Sequence, residues 1–458
     1  GLNGNLAGNL NGFNWNAYGS YKSAHDYKNK YDGRVFNSKF NEKNFGGYIG
    51  LNKNWGYTHL LVSRFDQTLG LVEGDRDEAA GAFLKQVDIA GMAEEAVATE
   101  ADFKSRTPFE PRQHIRHFKV SADNSFTLGS GRLTAVAGYQ RNQRQEFGNV
   151  LEPDEKELYF DLSTINYNLQ YHFPEARSWQ TSVGISGMQQ TNRNKGEEAL
   201  IPDYGLWDIG GFIYSKKRWN KLTLSGGLRF DNRSVASREM KDGGELIFGK
   251  FNKSFANISG SAGLSYSVSA PVTLKLNVAR GFRAPGLPEL ASNGAHEGTN
   301  RYEYGNLDLK SETSLQIDAG MDLNTEHVSL SLSLFNNRMN DFIYYRKLSA
   351  AAGGDSLVNK DGEDLMAFIF SQHNANLYGA EFNLDIHPHP LDWLHFENTF
   401  SWVRGRLSQA QDGSRNLPFI PAARLINTLR GDFLRQGNTL RNLYAQAELD
   451  NPFAQNDP

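Results

Sequence analysis

Residues 281–314 read GFRAPGLPELASNGAHEGTNRYEYGNLDLKSETS, and their flanks decide the fold. Before the stretch, Val272, Leu274, Leu276 and Val278 alternate with Thr273, Lys275 and Asn277. After it, Leu315, Ile317, Ala319, Met321 and Leu323 alternate with Gln316, Asp318, Gly320 and Asp322. Period-two alternation on both sides marks two half-buried strands, so the stretch between them is a long loop. Pro285 and Pro288 end the first strand, because proline has no N–H to give to a ladder.

The same alternation recurs along the chain, as at Phe13–Tyr21, Leu222–Asp231, Val328–Leu334 and Tyr378–Ile386. It predicts about 17 strands, the first at 8–22 and the last at 440–449, many longer than the roughly five or six residues usual in soluble domains. A tilted strand of about 9–11 residues crosses a bilayer. The predicted connections alternate between short ones, such as 54–56, 128–131 and 218–220, and long ones, such as 23–43, 70–111, 284–310 and 347–371. Short turns at one end and long loops at the other are what a transmembrane barrel has. Trp55, Trp179, Trp219 and Trp393 fall at short turns, and Trp207 and Trp402 toward long loops, as two interfacial girdles would place them.

Composition narrows the function. The 458 residues include 45 glycines and no cysteine, with 12% aromatics and net charge −4. The missing cysteine excludes a disulfide scaffold and any thiolate metal site. The slightly acidic balance argues against general nucleic-acid binding. Mean hydropathy is −0.56, and no run of 18 apolar residues forms a spanning helix. No G-x-S-x-G elbow or H-E-x-x-H pair is present, so the chain does not read as an enzyme.

The motif residues Gly281, Phe282, Arg283, Ala284, Pro285 and Glu289, followed by Gly305, Asn306, Leu309, Lys310, Glu312 and Thr313, resemble the late-barrel motif of TonB-dependent outer-membrane receptors. The stretches YFDL, NRNKGEE and GGLRFDNR resemble the Bacteroidota-type members. The resemblance implies an all-β fold, a transmembrane antiparallel up-and-down β-barrel, with residues 1–458 as one barrel domain. It implies about 22 strands around a separate N-terminal plug, so this chain would be an incomplete barrel. The plug and an aromatic-ended last strand are not in this sequence. It also implies energised uptake of a scarce nutrient such as a ferric siderophore, haem, cobalamin or a metal. The partners implied are outer-membrane lipid, a small nutrient ligand, and TonB acting through the plug; no nucleic acid and no cofactor are implied. The implied location is the outer membrane of a Gram-negative bacterium. With about 17 strands, residue 1 is expected on the periplasmic side, Pro458 on the outer side, and the outer edges of 8–22 and 440–449 either unpaired or forced together in a distorted closure. A passive porin, and less so a barrel enzyme, are the alternatives.

Several residues have both a functional and a plainer reading. Parity points Arg283 and Glu312 into the lumen, where they line a ligand path, contact a plug, or form a structural ion pair. The segment from Glu73 to Asp102 carries nine acids and two basic residues, including Glu73, Asp75, Asp77 and Glu78. It is either a solvated surface or an acidic funnel for a cationic or metal-bearing ligand. Residues 92–106 are expected to form a short helix. His296, Glu297 and Arg301 lie near a loop apex, and His25 and Asp26 begin another long loop, all as candidates for ligand capture against an ordinary solvated loop. His387 and His389, in H-P-H-P, have ligand-like spacing but fall in a short turn on the predicted periplasmic side, away from capture.

Overall fold

The computed structural model describes every residue except 297–300, 361–362, 412, 434–436, 438 and 456–458. Its main sheet has 22 strands, four of them short ribbons in the loops (Asn293–His296, Arg301–Tyr304, Leu357–Lys360 and Ser414–Asn416). The other eighteen form one meandering wall: Leu2–Leu10, Phe13–Ala24, Phe40–Lys53, Gly56–Gly70, Arg112–Leu128, Gly131–Phe147, Tyr159–His172, Trp179–Asn194, Tyr204–Trp219, Leu222–Ser237, Asn252–Ser267, Val272–Arg283, Glu312–Asn324, Val328–Lys347, Glu363–Ile386, Leu394–Gln411, Arg424–Phe433 and Leu443–Pro452. Each pairs antiparallel with the one before it, so the order in space is the order in sequence.

The two faces of the wall differ in polarity. Leu228 and Phe230 are 64% and 53% exposed, whereas the side chains of Arg229 and Asp231 between them retain 31% and 20%. Leu315 and Ile317 are likewise open to the outside, and Gln316 and Asp318, bonded to each other at 2.6 Å, sit on the opposite face. Register extends each face across neighbours: Leu224 pairs with Leu264, Leu264 with Leu276 and Leu276 with Ala319. The polar face closes on itself through ion pairs, because an unpaired charge there needs a partner or water. Arg141 holds Asp161 with two bonds of 2.7 and 2.6 Å, joined by Lys195. Arg233 grips Asp208 with two bonds of 2.7 Å, and Lys275 pairs with Asp322. At the short-turn end Trp179 and Trp219 meet edge to face at 6.4 Å, while Trp55 stacks on Phe126 and Trp393 packs beside Phe433.

The N-terminus differs from expectation. Residues 8–22 are not one strand: Asn11 and Gly12, both at positive φ (52° and 86°), turn the chain back after Leu10. An Asn-Gly pair at positive φ is the two-residue turn whose twist suits a hairpin. The wall therefore has eighteen strands rather than 17, and both outermost strands have their free ends at the long-loop end. Residue 1 lies there, not at the short-turn end as expected. Among the described residues Leu2–Leu10 pairs only with Phe13–Ala24, and Leu443–Pro452 only with Arg424–Phe433, so the wall has two free edges.

Segment 92–106 differs too. Met92–Val97 is a strand paired with Leu84–Ile89 across a turn at Ala90 and Gly91, and only Glu100–Lys104 is helical. That helix starts where Thr99 and Asp102 cap each other's backbone N–H groups.

Candidate functional site at the long-loop rim

The motif loop is a knot at the rim. The strand Val272–Arg283 stops two residues before Pro285, and Gly286 opens the short helix Leu287–Ala291. Glu289 accepts the Gly286 N–H at 2.6 Å and two bonds from Arg283 at 2.7 and 2.8 Å. Arg283 reaches on to Glu312 at 3.1 Å, and Glu312 also accepts the Ile343 N–H at 3.0 Å. One guanidinium thus ties the end of one strand, the loop helix and the start of the next strand together. Gly305 fits because its backbone lies against that helix; a Cβ there would stand 2.3 Å from Ala291 N. Asn306 bonds the Phe370 carbonyl at 3.2 Å, and the Lys310 backbone exchanges two 2.8 Å bonds with Gln372. Ala284, Leu287, Leu290 and Leu309 are buried against Tyr204, Leu206, Val235, Phe255 and Ile343. Phe282 and Thr313 are paired in the ladder, and Gly281 sits opposite Ser314.

Arg283 also lines a lumenal cavity of about 450 Å³ with Arg229, Asp231, Arg233 and Asp208. Its expected lumenal facing agrees with that position. Its bonds nevertheless make it foremost a structural clamp. Arg283→Ala should loosen residues 286–291 by about 1–3 kcal/mol, because buried Glu312 loses its charged partner. Arg283→Lys should restore less than half of this, since one ammonium nitrogen cannot reach Glu289 and Glu312 as the two guanidinium nitrogens do. Hydrogen exchange of the Leu290 and Asn306 amides measures both; wild-type protection in Arg283→Ala would refute the clamp.

The long acidic segment folds with the 25–39 loop on the same rim. Val35, Phe36 and Phe83 are buried with Phe103 and Phe109 packed against them. Asn37, itself buried, donates to the carbonyls of Leu71, Phe109 and Pro111 and accepts the Phe109 N–H, so it clamps the base of the loop. Lys39 is fully enclosed: its Nζ is 3.2 Å from Asp26, donates to the Asp102 carbonyl at 2.6 Å, and lies 4.5 Å from the Phe109 ring centroid. Burial pushes the Asp26 carboxyl up and the Lys39 ammonium down, and each offsets the other in part. Burial also pulls Asp102 up, but hydrogen bonds from Lys85 and Thr99 outweigh it and hold the group below the ordinary aspartate value.

Several expected capture residues therefore have structural work. Asp77 caps the Ala79 and Ala80 N–H groups, Asp88 caps Gly91, and Asp102 is bound to Lys85. Glu73, Asp75 and Glu78 remain exposed. Arg301 contacts Tyr345 OH at 3.3 Å and lies over its ring. The His296 side chain and Glu297 lie outside the described residues. Asp26 is enclosed with Lys39 and does not face a ligand. Sequence reading missed Asn37 and Lys39, whose partners lie in distant loops. It also missed the Arg233–Asp208 and Arg141–Asp161–Lys195 contacts, although the period-two spacing of Arg229, Asp231 and Arg233 signals a charged lumenal face.

Comparison with known proteins agrees with this architecture. Residues 1–453 match the family model described as TonB dependent receptor-like, beta-barrel. Among solved structures, the copper transporter OprC is similar at 15% identity and a TM-score of 0.67, over 94% of this chain and 64% of that one. The FrpB iron transporter from Neisseria meningitidis (F3-3 variant) is similar at 13% identity and a TM-score of 0.65, over 95% and 64%. A double mutant of the Serratia marcescens hemophore receptor HasR, solved with its hemophore HasA and heme, is similar at 12% and 0.66, over 94% and 68%. The chain spans 64% of the length of the first two of these, and at such identities the likeness establishes the fold.

Proposed function

The chain belongs to the TonB-dependent receptor β-barrel family, and from that premise we propose that it forms the membrane wall and capture rim of an outer-membrane receptor for energised nutrient uptake. The observation that carries this reading is the sorting of the chain into an apolar outer face, an ion-paired lumenal face and one rim of long, internally packed loops. An apolar band faces lipid without cost, whereas Arg or Lys there costs about 2–4 kcal/mol at mid-depth. The cargo class is a metal-bearing nutrient, free, chelated or as haem. The names of the solved relatives and the exposed acids Glu73, Asp75 and Glu78 support it. TonB acts through a plug, and the location is the Gram-negative outer membrane. The chain carries out no catalysis; its residues bind, pass and exclude.

Loops 71–111 and 284–311 lie on one rim and supply most of the capture surface. In cells expressing the full-length protein, deleting 75–105 should lower uptake of its labelled cargo at least tenfold while the barrel stays in the membrane. Ferric siderophores, haem and copper are the cargo panel. A protonophore should abolish uptake by the intact protein. Uptake that survives the protonophore would make the protein a passive channel. Uptake unchanged by the deletion would remove this loop from the mechanism.

A further inference from the structure

At the opposite end of the wall, imidazoles and carboxylates gather on the short turns. Asp385 Oδ2 lies 3.4 Å from His387 Nδ1 and 3.0 Å from His395 Nδ1. These three residues place their donor atoms within 4.8 Å of one another. The His387 and His395 rings stand 5.2 Å apart. His387 Nδ1 and His395 Nε2 are buried and make no hydrogen bond; His395 Nε2 is 3.7 Å from Asp432 Oδ2, beyond hydrogen-bond reach. His389 and His327 follow, each within 4.0 Å of Asp392, with their own rings 5.9 Å apart. Four of the chain's 11 histidines thus meet where the turn after Asn324 faces the turn after Ile386.

From this geometry we propose that Asp385, His387 and His395 bind a divalent transition-metal ion at the short-turn mouth of the lumen. Nitrogen and carboxylate donors hold such an ion at about 2.0–2.2 Å, which sets two tetrahedral donors about 3.4 Å apart. The 3.4 Å between Asp385 and His387 matches that edge, and the 3.0 Å between Asp385 and His395 is a hydrogen bond whose proton the ion would replace. A simple histidine–carboxylate pair accounts for His395 but not for His387, whose nitrogen approaches the same oxygen without forming a hydrogen bond. Two imidazoles with one carboxylate select Zn²⁺, Ni²⁺ or Cu²⁺ over Mg²⁺ and Ca²⁺. Three protein donors leave a fourth position for water or an incoming ligand. Arg430, opposite His395 in the ladder, bonds Asp432 at 2.9 Å, which occupies the neighbouring cation with its own carboxylate.

The site shares the lumenal parity of Glu381 and Asn383 along its strand, so it lies where cargo leaves the barrel. Its role as an exit-side station rests on the transport reading; the binding itself does not. The test is Zn²⁺ titration of the full-length protein in detergent, stripped of metal, by competition with a chromophoric chelator. The wild type should bind one more Zn²⁺ than the His387→Ala/His395→Ala variant. Asp385→Asn should weaken that ion at least tenfold, and His59→Ala should leave it unchanged. Co²⁺ should give the visible bands of a tetrahedral complex in the wild type alone, and Mg²⁺ should not compete. Equal Zn²⁺ binding by wild type and double variant, with both showing the same heat-modifiable barrel on gels, would overturn the site. Uptake by the double variant equal to wild type, with Zn²⁺ binding lost, would overturn the station role and leave the binding site standing.

Discussion

Replacing Lys39 with alanine should free the acidic loop from the rim while leaving the wall in place. The substitution leaves Asp26 enclosed without its cation, and breaking a buried pair in this way costs about 3–5 kcal/mol. It also removes the ammonium over the Phe36 and Phe109 rings and its bond to the Asp102 carbonyl. Protease added to intact cells should then cut within 73–106, and amide exchange in Leu84–Ile89 and Met92–Val97 should rise to the rate of an unpaired hairpin. A double change, Lys39→Met with Asp26→Leu, should recover most of the protection, because an apolar pair of similar volume needs no compensation. Equal protease resistance in wild type and Lys39→Ala would show that the pair does not hold the loop. Acid should act on the same cluster through Asp102. Its folded value lies below its unfolded one, so its stabilisation is present at neutral pH. That share is lost as pH falls below about 4 and through the folded value. Asp26 has the opposite sign, being raised: its share is present in acid and lost as pH rises through the folded value. Asp102→Asn should therefore remove the acid-labile part of the loop's protection.

The second large effect concerns the wall. Leu228→Arg should cost about 2–4 kcal/mol at the lipid face and sharply reduce the amount of protein assembled in the outer membrane. Ser225→Arg, three residues away on the lumenal face that Lys275 and Asp322 also line, should assemble normally. The two variants add the same charge, so a difference between them isolates the face. Outer-membrane yield and heat-modifiable mobility report it. Equal assembly of both would mean that this face does not meet lipid.

The fold was legible where side chains alternate between an apolar outer face and a polar inner one. Leu222, Leu224, Leu228 and Phe230 against Arg229 and Asp231 are enough to name the face of one strand, and the register carries it to its neighbours. The first strand was missed because Asn3, Gly4, Asn5, Gly8 and Asn9 are poor strand formers by propensity. Only Leu2, Leu6 and Leu10 mark its outer face, and pairing with Phe13–Ala24 overrides the rest. The same override made Met92–Val97 a strand, although its Ala and Glu residues favour a helix. At the rim, the motif residues were legible as a unit, and their partners were not. Nothing in the spacing of Glu312 announces the Ile343 N–H, and nothing in Asp26 announces Lys39. Such contacts depend on how loops far apart in sequence fold back together. His387 is legible as a ligand type, but its place in a short turn argues against ligand capture. Its neighbours Asp385 and His395 meet it only because the turn brings two strand ends side by side.

If the wall crosses the outer membrane as a capture receptor, its long-loop end faces outward in a living cell. These 458 residues contain no cysteine, so single cysteines introduced among them are read against the unsubstituted full-length protein as the blank. Glu78→Cys in the long acidic loop and Ser130→Cys in a short turn, both exposed, can each be placed in the full-length protein and treated with a membrane-impermeant maleimide. Glu78→Cys should label on intact cells, and Ser130→Cys should label only after the outer membrane is opened. Labelling of Ser130→Cys on intact cells, or of neither site until lysis, would contradict that orientation.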